Sequence, residues 1–224
     1  MKPLAPRWHT AVLAGIFLAL AVSGALFQRG APAPPGARQS TVPLYVSLIV
    51  VEWGLVLFVW RGGRRFSGTT LHDWIGGNWG NAKGVFVDAG LALGLWCTWK
   101  LLEMSWEHFL GPGDAAAYGR LLPRGAAERG LWIVVSLSAG FAEELAFRGY
   151  FLRQFAAFTR RPRVGLVLQA ALFGIAHGYQ GVQGCLKIAL YGVLFGAMAL
   201  WRRNLRPGMM AHAWTDILGG LSGG

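Results

Sequence analysis

Cysteine and acidic residues are both scarce in this sequence. Its 224 residues hold two cysteines, Cys97 and Cys185, each inside an apolar run. Two such thiols make neither a disulfide framework nor a CxxC metal site, and they read as small buried hydrophobes. No HExxH pair, internal repeat or low-complexity block occurs. Charged residues are only 14% of the chain, with 10 acids against 21 lysines and arginines, for a net charge of +11. In a soluble chain that excess would point to nucleic acid. Here the basic residues fall in short clusters between apolar runs, which is the pattern of cytoplasmic membrane loops, and no nucleic-acid partner is expected. What is abundant is apolar: 54% hydrophobic residues and 11 tryptophans, which suit the interfacial belts of an integral membrane protein.

The apolar runs predict an all-α, polytopic transmembrane helix bundle of about seven spans, at 11–27, 42–60, 84–102, 130–152, 164–179, 182–201 and 208–221. The first follows a short basic stretch (Lys2, Arg7) with no clear cleavage site after it, so it is read as an uncleaved span. Residues 28–41, rich in Pro, Gly and Ala, read as a loop; 66–83 reads as a polar loop that could hold an interfacial turn; Gly111-Pro112-Gly113 breaks any helix in the mixed-charge segment 103–129. Basic clusters mark the N-terminus and the 61–83, 153–163 and 202–206 segments, whereas 178–184 carries none. That asymmetry predicts a cytoplasmic N-terminus and an external C-terminus, in a bacterial cytoplasmic (inner) membrane.

The fourth run is the unusual one. Ser138 to Tyr150 sets Glu143, Glu144 and Arg148 into an otherwise apolar stretch. Ionisable groups at membrane depth are costly and mark functional sites by default. In a helix Glu144 and Arg148 are i,i+4 neighbours able to pair, while Glu143, about 100° round, is left free. One paired and one free acid in a low-dielectric setting is how a general base is made. Two later runs add His177 (in Phe173-Gly-Ile-Ala-His177) and His212 with Asp216 at i,i+4. Counted at ~1.5 Å per residue from the nearest basic loop, Glu143, His177 and His212 lie at roughly 15, 20 and 9 Å, so three helices can bring them to one cavity. A carboxylate and an imidazole can activate water, and a second histidine with an acid can bind an oxyanion or complete a metal site. Glu52 and Asp88, alone in their spans, read as polar helix–helix contacts, and His9, His72 and His108 need no special role.

EExxxR at Glu143, Glu144 and Arg148, FxxxH at Phe173 and His177, and HxxxD at His212 and Asp216, in that order and each on its own span, resemble the CPBP family. These are the intramembrane proteases of the CAAX prenyl endopeptidase and bacteriocin-processing (Abi) group. The resemblance covers roughly 130–220. It implies a catalytic helical core over 130–221, preceded by N-terminal transmembrane helices and loops over 1–129. It implies an endopeptidase that cuts a membrane-associated, prenylated or CAAX-like protein or peptide. Glu143 would activate the water with help from His177, His212 and Asp216 would act as oxyanion stabilisers or ligands, and Glu144 and Arg148 would orient the site. Members are called metalloproteases, and a metal-independent glutamate mechanism is also argued; if a metal is used, Glu143, His177 and His212 would hold it, as Zn²⁺. Asp216 stands where prenyl-protein proteases of the family typically carry Asn, which favours an ion partner or ligand over a neutral donor. Two other classes of function stay open on the residues alone: a proton-coupled transporter, and a non-catalytic immunity or scaffold protein of the same fold.

Overall fold

The computed structural model describes residues 2–29, 40–111 and 119–222. Among these it is helical throughout, without strands. In chain order the helices are α1 (Arg7–Arg29), α2 (Val42–Ser67), α3 (Leu71–Ile75), α4 (Ala82–Leu110), α5 (Ala126–Glu144), a π-helical segment (Leu145–Phe151), α6 (Leu152–Thr159), α7 (Pro162–Ala176), a 3₁₀ turn (Gly178–Gln180), α8 (Gly181–Arg202) and α9 (Arg206–Ser222). The seven predicted runs each fall on a helix. Five are long and apolar enough to cross a membrane, the fourth being the continuous helical stretch 126–159. The other two, α7 and α9, have 15 and 17 residues and reach ~22 and ~25 Å, short of a straight crossing of a ~30 Å core.

Local chemistry explains most of the helix ends. Pro43 and Pro162 sit in the first turns of α2 and α7, where a missing N–H costs nothing. Thr70 and Asp73 form a reciprocal capping box on α3, and the donated hydrogen bonds hold the Asp73 carboxyl below its usual range. Asn81 accepts from the Gly84 amide at the start of α4.

Three boundaries differ from expectation. α2 does not stop at Trp60 but runs through Arg61-Gly62-Gly63-Arg64-Arg65, because the bare glycine faces there are filled by the His9 and Trp74 rings. α4 continues to Leu110 rather than ending at Leu102. The predicted 178–184 loop shrinks to the 3₁₀ turn, since α8 already begins at Gly181. The interfacial turn foreseen in 66–83 is α3. Cys97 is exposed on the outer face of α4 and Cys185 is half-buried, so neither is the buried core thiol that the apolar runs suggest. Most of the predicted 28–41 loop, with Arg38, and the break at Pro112 and Gly113 lie outside the described residues.

The core is centred on the π-helical segment, every residue of which is buried. Phe147 and Phe151 pack against Phe17 of α1, and Phe147 against Phe173 of α7. Gln154 bonds to the Leu4 amide and to both the amide and carbonyl of Ala5, while Tyr150 meets His9 Nδ1 at 2.7 Å and Thr10 at 3.0 Å, so the N-terminus is tied to this centre. His9 is thus a buried structural histidine. α2 lies along α5 through Trp53 stacked on Phe141 and Tyr45 against Trp132. Many large apolar side chains point outward, among them Phe86, Leu101, Val182 and Trp201, as expected of a surface that faces lipid rather than water.

Candidate active site

α5 and α9 cross closely because their contact is made of small residues. A Cβ at Gly140 would come within 2.9 Å of the Met209 carbonyl and the Ala213 amide, and a Cβ at Gly208 within 2.9 Å of Glu144 Oε2. Backbone-to-backbone contact of this kind brings His212 against both glutamates. Trp132 Nε1 donates to the Asp216 carbonyl at 2.8 Å and clamps the other end of the crossing.

Glu144 and Arg148 pair as their spacing predicts, Nη1 to Oε1 at 3.1 Å, with both side chains essentially excluded from the surface. The guanidinium is off-axis for a hydrogen bond to any partner. It is held by rings instead, with Phe173 4.3 Å away and Tyr191 and Phe195 at 5.7 and 5.8 Å. Phe173, expected to be packing, is the face on which Arg148 rests. π-helical segments inside α-helices occur often at functional sites, and here one carries the arginine directly after the two acids.

His212 joins the two acids. Its Nδ1 lies 3.1 Å from Glu144 Oε1, a carboxylate oxygen that can only accept, so Nδ1 carries a proton. Its Nε2 then points at Glu143 Oε2 (3.8 Å) on one side and Asp216 Oδ2 (3.5 Å) on the other. The side chains of Glu143 and Asp216 keep 23% and 33% exposure against 1% for Glu144, so one end of the imidazole is sealed and the other is open. Glu143 Oε2 is buried without a hydrogen-bond partner.

Five of the six predicted site residues, Glu143, Glu144, Arg148, His212 and Asp216, are therefore drawn together. His177 forms no ion pair or hydrogen bond with them among the described residues. It lies just past the C-terminus of α7, with Nδ1 bonded to the Phe173 carbonyl at 2.9 Å and its ring against Phe173 and Tyr179. Phe173 touches both imidazoles, and His177 makes no contact with Glu143 among the described residues. For the same reason Glu143, His177 and His212 do not form the converging set that Zn²⁺ needs: no three His, Cys, Asp or Glu side chains among the described residues do so.

One neighbour escaped the sequence reading. Glu52 of α2 is buried beside Ser138, within electrostatic reach of Glu143, Asp216 and His212, and its Oε2 has no partner. An acid alone in an apolar span was the available signal; what α2 packs against was not. Asp88 does make the helix–helix contact expected of it, with Arg202 and Arg206.

Comparison with known proteins bears on the same stretch of the chain. Residues 126–218 match the Rce1-like family model, described as type II CAAX prenyl endopeptidase Rce1-like. No curated protein and no solved structure matches the chain. Apolar helices of spanning length fit an integral membrane protein, and this match supports a protease. The match over residues 126–218, which carry all three motifs, supports the CPBP and CAAX protease family.

Proposed function

We propose that the protein is an intramembrane endopeptidase that hydrolyses a peptide bond of a membrane-associated, CAAX-like or prenylated protein or peptide, using a water activated by Glu143 and His212. The observation that carries this reading is the unpartnered Glu143 Oε2, 3.8 Å from His212 Nε2 at the open end of the imidazole. A water can bridge such a gap. Glu143 takes its proton as the oxygen attacks the scissile carbonyl carbon. The resulting oxyanion is met by the Nε2 proton of His212, acting as an imidazolium whose Nδ1 proton stays with Glu144, and Glu143 returns the proton it took to the leaving amine as the C–N bond breaks. Glu144 and Arg148 are positioning residues: the sealed pair fixes the His212 ring through Nδ1. Asp216 flanks the same Nε2. His177 keeps Nε2 free, because Phe173 occupies Nδ1, and offers it to a substrate passing Tyr179. No step is routed through a metal, since the donors do not converge.

The protein would lie in a bacterial inner membrane with its N-terminus in the cytoplasm, the 153–163 segment inside and 178–184 outside. Single cysteines in these two segments, in a background lacking Cys97 and Cys185, should then label from opposite sides. For the activity, the purified chain in proteoliposomes is offered a prenylated CAAX-ended peptide and an unprenylated membrane peptide. Cleavage of either, falling about 10²-fold or more in Glu143→Gln at equal membrane accumulation, is the expected result. Full activity in well-folded Glu143→Gln would remove Glu143 from the mechanism.

A further inference from the structure

At the other end of α9 from Asp216 lies a second polar site. The loop between α3 and α4, the first turns of α4 and the turn from α8 into α9 enclose a cavity of about 280 Å³. Its walls carry Arg202, Arg203, Arg206, Asn204, Trp79 and Asp88. The acid is fully engaged. Asp88 Oδ1 takes Arg202 Nε at 3.0 Å, and Oδ2 takes the Trp79 indole at 2.8 Å and Arg206 Nε at 3.4 Å. Arg206 also donates to the Gly76 carbonyl at 2.7 Å and lies over the Trp79 ring. Three arginines thus face one carboxylate, leaving an excess of two positive charges around a polar hollow. The Arg203 side chain makes no ion pair or hydrogen bond among the described residues, and Arg202 engages Asp88 only through Nε, so its terminal nitrogens remain to bind something else.

We propose that this cavity binds the phosphate-bearing head group of an anionic phospholipid. Four arguments select that ligand. Guanidinium forks match phosphate oxygens in pairs. The cavity sits where three long or catalytic helices begin or end, which is head-group level for a bundle of this kind, and basic pockets between membrane helices take such head groups. Its volume is below the ~300 Å³ at which drug-sized sites start, and suits a phosphate with its glycerol rather than a large cofactor. Trp79, 44% exposed and stacked under Arg206, supplies the amphipathic ring of an interfacial anchor. A bound head group would brace the start of α9, whose Leu205 amide is already tied to the Ile75 carbonyl at 2.9 Å.

The test uses the full chain in dodecyl maltoside micelles doped with phosphatidylglycerol or phosphatidylcholine, scoring lipid retained after gel filtration and the thermal midpoint. Phosphatidylglycerol should be retained and raise the midpoint, and phosphatidylcholine should do neither. Arg202→Gln with Arg203→Gln should lower phosphatidylglycerol affinity by about tenfold. Arg64→Gln with Arg65→Gln, an equal charge change on the exposed end of α2, should leave it unchanged. Should the first pair fold poorly, Arg203→Gln alone removes an exposed, unpaired side chain and should still cost about threefold. Equal losses in both pairs, or equal retention of the two lipids, overturn the pocket. Complete displacement of the lipid by millimolar sodium phosphate, with the same rise in midpoint from phosphate alone, assigns the cavity to a soluble anion and overturns the lipid.

Discussion

Two clusters of buried charge meet α9, one at its start and one along its middle, and they are built on opposite principles. At the start of the helix Asp88 has its acceptor sites filled by two arginines, an indole and the Asn204 amide. Along its middle, His212 and Arg148 face Glu143, Glu144 and Asp216, with Glu52 close behind. The first cluster is a saturated acid with cations to spare. The second has more acids than cations and leaves Glu143, Glu144 and Glu52 each with an oxygen that lacks a hydrogen bond. A buried group with every partner in place is a structural device, whereas one left short of partners is held ready to move a proton. Charge alone in an apolar run does not separate the two cases; partners and exposure together do, since Glu144 is sealed and positions His212 whereas Glu143 is open.

The largest effect should come from breaking the sealed pair. Arg148→Ala strands Glu144 and is expected to cost about 3–5 kcal/mol, read as a fall in thermal midpoint in detergent together with loss of hydrolysis. An unchanged midpoint would mean that the rings, not the ion pair, define that position. Next is His212→Ala, which should slow peptide hydrolysis by about 10² or more while the chain still accumulates in the membrane. The same assay can test for a metal: activity abolished by a strong chelator and restored by Zn²⁺, with one bound Zn²⁺ that His212→Ala removes, would show that the donors converge in the working enzyme as they do not here. Near-normal hydrolysis in His212→Ala would dismiss both roles.

A smaller effect is expected at the saturated cluster. Asp88→Asn keeps the shape but removes the charge shared by Arg202 and Arg206, which should lower stability by about 1–3 kcal/mol and leave the hydrolysis rate of the folded fraction unchanged. A rate loss without a stability loss would make Asp88 part of the reaction and dissolve the contrast. The smallest change is at Glu52. Glu52→Gln should hold the midpoint and alter the rate by no more than about tenfold, since its carboxyl faces the group without pairing in it. A large fall in midpoint would show it to be a packed partner like Asp88.

Much of the site was legible from spacing. Glu144 with Arg148 and His212 with Asp216 are i,i+4 pairs, and one helix suffices to make each of them meet. The depth estimate that put Glu143 and His212 together also held. The same arithmetic put His177 at a similar depth; it shares Phe173 with His212, but its own Nδ1 is taken by a backbone carbonyl. α7 ends at Ala176, its last carbonyls seek donors, and the imidazole caps Phe173 instead.

The sequence by itself determined the helices, their apolar faces and the pairs within a helix. Those follow from backbone hydrogen bonding and a 3.6-residue period, which are local. The tertiary structure alone decided which acid His212 engages through Nδ1, that Glu52 stands behind the site while Asp88 stands away from it, and that Arg148 rests on the rings of Phe173, Tyr191 and Phe195. Each of these depends on how closely two helices approach and at what rotation. That is set by where glycines such as Gly140 and Gly208 let backbones and side chains touch, across distances in the chain that no local period encodes.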